Sequence, residues 1–240
     1  MRYIYFIIII LLSSCATEDC FHSTGKNRTE KRILPVFTRI EVKDNIELVL
    51  VQDTTLPPFI EITAGENLFD KITTEVIDNK LIIRNQNQCN WVRDYDRKIV
   101  AKLNIHSVSY IGHFGSESLT NQDTIKLDST YFESKSNADA SLTLSVYTLN
   151  VDLKAAGDLT LNGNNAVMVC NLFDVSGLFA KECEIGYAFV WHYGSNECHI
   201  SPIKELGANM FNTGNLYYYL EPILGKKIVI NHSGQAIKAF

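Results

Sequence analysis

The clearest candidate for binding chemistry in this 240-residue chain is a short run of aromatic side chains. Residues 187–193 read YAFVWHY, in which aromatic residues alternate with others. If this segment is a strand, successive side chains point to opposite faces, so the alternate aromatics share one face. Neighbouring exposed aromatics usually mark a binding surface, and flat rings with polar tips suit a sugar or a protein partner. The predicted outward set is Tyr187, Phe189, Trp191 and Tyr193, with Phe211 one repeat later in the same column as Trp191.

The same pattern permits two other interpretations of this segment. The N-terminal region or a neighbouring molecule could cover the face, or the inward assignment of Val190 could be wrong by one residue, which would bury all four rings. A sixth aromatic candidate, Trp91, lies in the polar segment 85–97. That segment is either a functional loop or a hairpin tip at which Trp91 folds back onto the sheet.

The segments that must position these rings are strands. From Phe37 onward, apolar and polar residues alternate with a period of two, which predicts strands joined by short turns. Residues 73–77 and 80–84 predict a hairpin with Asp78-Asn79 at its turn. Residues 68–72 predict a short helical turn.

The second half of the chain contains an internal repeat anchored on small residues. These anchors recur every 17 to 23 positions, at Gly115, Ala138, Gly157, Gly177, Gly194, Gly214 and Gly234. The residues four positions earlier are apolar in six of seven repeats: Ile111, Ser134, Leu153, Phe173, Val190, Met210 and Ile230. The residues two positions later are apolar in five of seven: Glu117, Ala140, Leu159, Phe179, Asn196, Leu216 and Ala236.

A strand repeat of this length predicts an all-β fold, a parallel β-helix or β-solenoid with short coils of about 20 residues. One coil cannot bury its own apolar face, but stacked coils share a continuous core. Glycine at each corner is expected to allow a positive φ. An antiparallel β-sandwich is the competing interpretation, but it does not require one column to stay apolar at constant register.

Histidines and carboxylates in the repeat give no constellation that could hold a metal or catalyse a reaction. His113, His192 and His232 each precede an anchor by two residues. Other residues occupy this position in the intervening coils, so a polar corner position is the simpler interpretation than one metal site. Asp139 and Asp158 stack on two neighbouring coils only, which favours turn formation over calcium binding. We therefore expect no enzyme activity, no metal and no cofactor.

The N-terminus has the layout of a secretory signal. Arg2 precedes an apolar run from Tyr3 to Leu12, and Ser13-Ser14 leads to Cys15. A cysteine after small residues resembles a bacterial lipobox, which implies cleavage before Cys15 and lipid attachment to its sulfur. The run is too short for a membrane span, which needs about 20 apolar residues. We predict a signal peptide in residues 1–14, a lipidated and flexible tether in residues 15–32, and one folded domain in residues 33–240.

Charge and cysteine content narrow the class of protein further. A net charge of −5 argues against binding to nucleic acid. Cys170 and Cys198 are interpreted as small buried apolar residues. Apart from Cys15, the chain has an odd number of cysteines: Cys20, Cys89, Cys170, Cys183 and Cys198. Their spacing does not determine which of them form disulfides.

Several runs of the chain resemble a known family. They are Phe37–Val42, Ile46–Leu50, Ile60–Leu68, Ile72–Val76, Asp78–Ile83 and Ile99–Ile105, leading to Gly115-Ser116. Together they resemble the head GIN domain family, described as an auto-transporter adhesin head, and the similarity covers roughly residues 33–240. The resemblance implies a β-helix-like solenoid carried by secreted proteins or lipoproteins of Bacteroidetes-like bacteria, without agreed catalytic residues. The bulky residues 191–193 and 217–219 depart from the small residues typical of the family.

These observations predict a non-catalytic lipoprotein of the cell envelope, held by its lipid in the outer membrane on the periplasmic or the outer side. The expected partner is a polysaccharide or a protein, bound through an exposed face of the solenoid. One alternative is a structural component that presents a rigid stalk without a ligand of its own. Another is a polysaccharide lyase or hydrolase. The oligomeric state stays open.

Overall fold

The computed structural model describes residues 23–87 and 98–240, and within them the chain is built almost wholly of strands. In these residues, seventeen strands form one hydrogen-bonded sheet. The strands are β1 (Asn27–Ile33), β2 (Arg39–Asp44), β3 (Ile46–Val51), β4 (Phe59–Gly65), β5 (Ile72–Ile77), β6 (Lys80–Asn85), β7 (Ile99–Asn104), β8 (Tyr110–Gly115), β9 (Leu119–Asn121), β10 (Ile125–Ser134), β11 (Ala140–Leu153), β12 (Leu159–Leu172), β13 (Leu178–His192), β14 (Cys198–Met210), β15 (Leu216–Tyr218), β16 (Gly225–Ile230) and β17 (Ala236–Lys238). One 3₁₀ helix, Glu66–Lys71, overlaps the predicted helical turn. No helix in the described part of the chain is long and apolar enough to cross a membrane.

The strands wind into a β-solenoid, which confirms the predicted fold class. Each coil has two limbs, and each limb pairs in parallel with the same limb of the next coil. Limb 1 consists of residues 119–127, 140–146, 159–165, 178–185, 198–202, 216–218 and 236–238. Limb 2 consists of residues 110–115, 129–134, 148–153, 167–172, 187–192, 205–210 and 225–230.

Two inward columns show why this arrangement is stable. In limb 2 the column is Ile111, Phe132, Val151, Cys170, Val190, Ala208 and Ile228. In limb 1 it is Leu119, Ala140, Leu159, Leu178, Cys198, Leu216 and Ala236. Every residue is apolar, and all but the last of each column are buried. Apolar burial contributes about 25 cal/mol per Å² removed from water, so each added coil extends one continuous core.

The sequence alignment on small residues found the repeat but was wrong in register at several coils. It placed Ile111 with Ser134, whereas the pairing places Ile111 beside Phe132 and Ser134 beside His113. From Ser134 and Ala140 onward, the last paired residue of limb 2 and the first of the following limb 1 are six positions apart in every coil. The corner therefore has a fixed length, but the small residue occupies different positions within it.

The anchor glycines serve close approach between coils rather than a positive φ, which corrects the sequence-based reason for them. Among the described residues, the glycines with positive φ are Gly25, Gly163 and Gly225, and none of them is an anchor. A Cβ atom at Gly157 would lie 2.2 Å from the backbone oxygen of Ala138 in the preceding coil. A methyl group at that corner would have to push two coils apart.

Antiparallel strands cover the N-terminal end of the solenoid. Limb 1 continues through β9, β3, β7, β4 and β1, with β4 antiparallel to both β7 and β1. Limb 2 continues through β8, β2, β6 and β5. The predicted hairpin β5–β6 is confirmed, and Asp78 and Asn79 have φ of 49° and 60°, as a type I′ turn requires.

The predicted tether extends too far, because β1 begins at Asn27 and not near Ile33. Its residues lack apolar alternation because it is an edge strand stabilised by polar pairs. The hydroxyl oxygens of Thr29 and Thr63 are 2.9 Å apart across the strands. The Lys31 ammonium lies 3.7 Å from the centre of the Phe59 ring. Such cross-strand pairs leave no periodic apolar signal in the sequence.

We predict that Gly157→Ala destabilises the domain by about 2 kcal/mol, the range typical of overpacking a tight site. The added methyl group meets the backbone oxygen of Ala138, which cannot rotate away. Urea unfolding followed by circular dichroism measures the change. Ala138→Gly in the neighbouring coil is the control and is expected to cost about 1 kcal/mol or less. An unchanged midpoint for Gly157→Ala would refute the close-approach explanation.

Candidate functional site

The aromatic segment of β13 has the predicted orientation. Ala188, Val190 and His192 are buried in limb 2, so the alternate aromatic side chains point outward. Tyr193 is 38% exposed, whereas the other three rings are half-buried: Tyr187, Phe189 and Trp191. The interpretation in which the register is one residue off, and all four rings are buried, is therefore wrong.

Tyr193 belongs to a stack of three rings along the solenoid axis, here called the limb-2 ring stack: Phe173, Tyr193 and Phe211. The ring centres of Phe173 and Tyr193 are 5.1 Å apart, and those of Tyr193 and Phe211 are 4.6 Å apart, with planes within 6° of parallel. The faces of Tyr193 are thus occupied by its neighbours, and mainly its edge meets solvent.

The structure corrects the predicted position of Phe211. Trp191 pairs with Asn171 in the preceding coil and with Asn209 in the next. The stretch of chain from Trp191 to Asn209 is shorter than the stretch from Asn171 to Trp191. The shorter coil moves Phe211, which is 41% exposed, beside Tyr193 instead of Trp191.

The remaining outward rings form a separate group, here called the aromatic patch: Tyr187, Phe189 and Trp191. Within the described residues, none of them stacks on another ring. Phe189 lies against Gly207, where a Cβ atom would be 2.8 Å from the ring. Asparagines flank Trp191 along its column. The Lys204 ammonium lies 5.3 Å from the centre of the Tyr187 ring. Valines precede Tyr187 and Phe189 in their columns, whereas Trp191 has a polar neighbour in both adjacent coils, so Trp191 is the ring of the patch best placed to meet a ligand.

A network of paired charges borders the aromatic patch. The Lys154 ammonium lies 3.1 Å from Glu133 and 2.9 Å from Asp152. Burial alone would raise the pKa of Glu133, but hydrogen bonds from Tyr110, Lys135 and Lys154 lower it to about 2. The same network keeps Asp152 ionised, and Asn171 donates to Asp152 at 2.8 Å, next to Trp191 in the column.

The histidines are corner residues, as predicted. His113 and His192 are buried at the end of limb 2, and the Nε2 atom of each lies within hydrogen-bond distance of a backbone oxygen four residues later. His232 is exposed. In residues 23–87 and 98–240, no group of three or more His, Cys, Asp or Glu side chains could hold a metal ion.

Asp139 and Asp158 act as hydrogen-bond acceptors in the corners. The Asp158 backbone N–H donates to the Asp139 carboxylate at 2.9 Å, and the Gly177 N–H donates to the Asp158 carboxylate at 2.7 Å. Burial raises the pKa of Asp158. Each carboxylate thus links its coil to the next, in agreement with turn formation.

The cysteines of the repeat are structural. Cys170, Cys183 and Cys198 are buried and unbridged. Burial raises the pKa of Cys183 to about 12 and raises those of the other two thiols. Reactive cysteines need a thiolate, so these side chains serve as small core residues. Cys15, Cys20, Cys89 and the candidate Trp91 lie outside the described residues.

Sequence reasoning missed a second stack of rings on limb 1. His199 stacks on Phe179 with ring centres 5.2 Å apart, and on Tyr217 with centres 4.7 Å apart. His199 also contacts the Tyr219 hydroxyl at 2.8 Å and Glu197 at 2.9 Å. An open cleft of about 290 Å³, here called the limb-1 cleft, lies beside this stack. The recurrence of a ring in each of three successive repeats was the available signal.

A larger open cleft of about 790 Å³ lies at the other end of limb 1. Its wall contains Gln52, whose side-chain amide donates to the backbone oxygens of His106 at 2.7 Å and Lys126 at 2.9 Å. Tyr147 is 70% exposed at its edge and is a single ring without a stacked neighbour in the described part. This cleft lacks the neighbouring rings that characterise limb 2.

The described part of the chain is thus a parallel β-solenoid with an outward aromatic patch on limb 2. The chain belongs to the family described as "Putative auto-transporter adhesin, head GIN domain", whose model matches residues 36–222. This confirms the resemblance seen in the sequence. No curated protein matches the chain.

Solved structures share the fold. A "putative adhesin" from Bacteroides fragilis superposes with a TM-score of 0.83 at 18% identity, covering 89% of this chain and 97% of its own. A "putative adhesin" from Parabacteroides distasonis has a TM-score of 0.66 at 16% identity, covering 89% and 98%. A "putative lipid binding protein" from the same species has a TM-score of 0.63 at 19% identity, covering 90% and 98%. At these identities the likeness concerns the fold alone.

We predict that the buried His192 makes the domain less stable as the pH falls below about 6.5, the ordinary value for histidine. Burial lowers the pKa of His192 in the fold, and its Nδ1 atom has no hydrogen-bond partner among residues 23–87 and 98–240. On acidification, the unfolded chain binds the proton at a higher pH than the folded chain does. The free energy of unfolding therefore falls as the pH decreases from 6.5 toward the pKa of His192 in the fold, by at most about 1.4 kcal/mol per pH unit.

His192→Leu tests this linkage, because Leu172 and Met210 flank the position in the same column. Urea midpoints of the wild type and the variant are compared at pH 7.5 and 5.5. The variant is expected to lose less stability than the wild type on acidification. His232→Leu, at an exposed position, is the control and should follow the wild type. Equal losses in all three proteins would show that His192 does not contribute.

Proposed function

We propose that the protein is a non-catalytic, lipid-anchored component of the cell envelope that binds a polysaccharide or protein through the aromatic patch of limb 2. The observation that carries this proposal is the position of Trp191, whose side chain points outward between asparagines of the preceding and the next coil. A large ring without a stacked neighbour in the described part can cover an apolar ligand surface, and the adjacent amides can donate to its polar groups.

The surroundings of the patch support recognition by contact rather than by charge. The acidic groups next to Trp191 are already compensated, because Asp152 is paired with Lys154 and accepts from Tyr131 and Asn171. A ligand therefore meets rings and amides rather than a strong field of one sign. Aromatic side chains commonly provide the largest share of binding energy at such surfaces.

Location in the envelope rests on the N-terminal sequence and on the family. Arg2, the apolar run 3–12 and Ser13-Ser14-Cys15 have the layout of a lipoprotein signal. A lipid on Cys15 would leave the residues before β1 as a short spacer between the membrane and the solenoid. Either side of the outer membrane is compatible with this arrangement.

A second candidate function is a structural stalk without a ligand. The limb-2 ring stack favours it, because Phe173, Tyr193 and Phe211 cover one another's faces and so stabilise neighbouring coils. In that case the rings contribute to the rigidity of the domain and not to recognition.

We predict that Trp191→Ala reduces retention of the purified chain on its ligand at least about tenfold while the thermal midpoint stays unchanged, because a central aromatic ring of a binding surface typically contributes about 2 kcal/mol or more. A panel of immobilised bacterial and host polysaccharides and matrix proteins measures retention, and polymer length is monitored in parallel. Tyr147→Ala is the control, because this outward ring lies outside the patch.

The outcomes separate the candidate functions. Retention that depends on Trp191 supports recognition by the patch. Retention that is equal in both variants excludes the patch. Absence of retention on the whole panel favours the stalk, and shortening of a polymer would contradict the non-catalytic assignment.

We also predict that Cys15→Ala abolishes incorporation of a labelled fatty acid and releases the chain from the membrane fraction. A lipoprotein signal requires the thiol at this position, and a short apolar run alone is a weak anchor. Metabolic labelling in a bacterial host measures incorporation. Cys20→Ala is the control and should remain labelled, whereas labelling of Cys15→Ala would overturn the proposed anchor.

A further inference from the structure

The limb-1 cleft has the features of a small-ligand site, and it lies on a different limb from the aromatic patch. One wall is the stack of Phe179 and His199, and the rim contains Lys181 and Glu182. Its volume of about 290 Å³ is at the lower end of the range of ligand pockets, about 300–1,000 Å³. A site of this size suits one ring rather than an extended chain.

The stack ends at this cleft, which leaves one ring face uncovered. His199 occupies one face of Phe179, at 5.2 Å and an interplanar angle of 21°. On the opposite side, the residue in register with Phe179 is Thr160. A threonine is too short to cover a phenyl ring, so the second face of Phe179 opens onto the cleft above Thr160.

The wall of the cleft is held rigidly. His199 is fixed by its contacts with Tyr219 at 2.8 Å and with Glu197 at 2.9 Å. The Lys181 ammonium lies 4.6 Å from the centre of the Tyr219 ring. A site whose side chains are already ordered loses little conformational entropy when a ligand binds.

A bulge brings polar side chains to the rim. The pairing of β13 with β14 shifts between Ala180 and Glu184, so the intervening residues have no partner in the next coil. This shift places Lys181 and Glu182 at the exposed edge. Bulges often re-aim side chains next to functional sites.

The polar groups at the cleft are available for a ligand. In the described part of the chain, the side chains of Thr160, Asn162 and Glu182 form no hydrogen bond with another residue. They offer a hydroxyl, an amide and a carboxylate within one small cleft, next to an apolar ring face. Lys181 and Glu182 carry opposite charges, so the rim attracts neither anions nor cations strongly.

We propose that the limb-1 cleft binds one pyranose unit of a neutral glycan. The apolar face of the sugar stacks on the uncovered face of Phe179, and its hydroxyl groups bond to Thr160, Asn162 and Glu182. A sugar ring has this combination of a flat apolar face and a rim of hydroxyl groups. The site does not depend on the aromatic patch, so each can fail without the other.

Saturation-transfer difference NMR on the purified full chain tests the proposal. The probes are the methyl pyranosides of glucose, galactose, mannose and N-acetylglucosamine at millimolar concentration. At least one should receive saturation mainly on the protons of one ring face, with a Kd on the order of 1 mM, as expected for so small a ligand.

Thr160→Phe is the decisive variant, because the new ring would continue the stack and fill the cleft. We expect it to retain the wild-type thermal midpoint and to weaken binding at least tenfold. Thr160→Ser keeps a short hydroxyl side chain and should bind like the wild type. Tyr147→Ala removes an exposed ring that lies outside both the limb-1 cleft and the aromatic patch, and it should also bind like the wild type.

Two results would overturn the proposal. One is the absence of saturation transfer to every pyranoside from the folded wild type. The other is undiminished binding by folded Thr160→Phe. If that variant does not fold, Asn162→Ala combined with Glu182→Ala replaces it. Binding by this double variant equal to that of the wild type would exclude the site, and a loss of fivefold or more would support it.

Discussion

The spacing between coils is the constraint on which the rest of this structure depends. Parallel strands hydrogen-bond at about 4.8 Å, so equivalent residues of successive coils lie directly against one another. Inside, this spacing requires columns of apolar side chains such as Val151, Cys170 and Val190. At the corners it brings backbone oxygens so close that Gly157 has no room for a Cβ atom.

The same spacing determines what aromatic residues do on the outside. Stacked rings have centres 4.6–5.2 Å apart in four pairs between adjacent coils, close to the strand separation itself. Rings that follow one another in the stacks of limb 1 and limb 2 therefore cover each other's faces, whereas Tyr110 and Tyr131 meet edge to face. A ring face stays uncovered only where the next residue in the column is not aromatic, as at Trp191 between asparagines or at Phe179 next to Thr160.

If the proposed sites bind ligands, surface function in this fold depends on breaks in a column rather than on the number of aromatic residues. Tyr193 is more exposed than Trp191, but its faces are occupied within the limb-2 ring stack. Polar side chains likewise pair with one another between neighbouring coils, as Glu133 does with Lys154. Rigid columns with a few breaks give a domain whose outward residues can change without altering the core.

The sequence by itself determined the fold class, and it predicted the outward orientation of the alternate rings in residues 187–193 and the burial of Cys170 and Cys198. These properties follow from the alternation of apolar and polar residues and from the short strand repeat, both of which are local patterns. Only the tertiary structure decided which residues are neighbours across coils. Corners of constant length carry their small residue at different positions, and the coil after Trp191 is shorter than the one before it, so Phe211 lies beside Tyr193 and not Trp191. The partners that stabilise the polar strand β1 and the rings around His199 are likewise distant in the sequence and adjacent only in the fold.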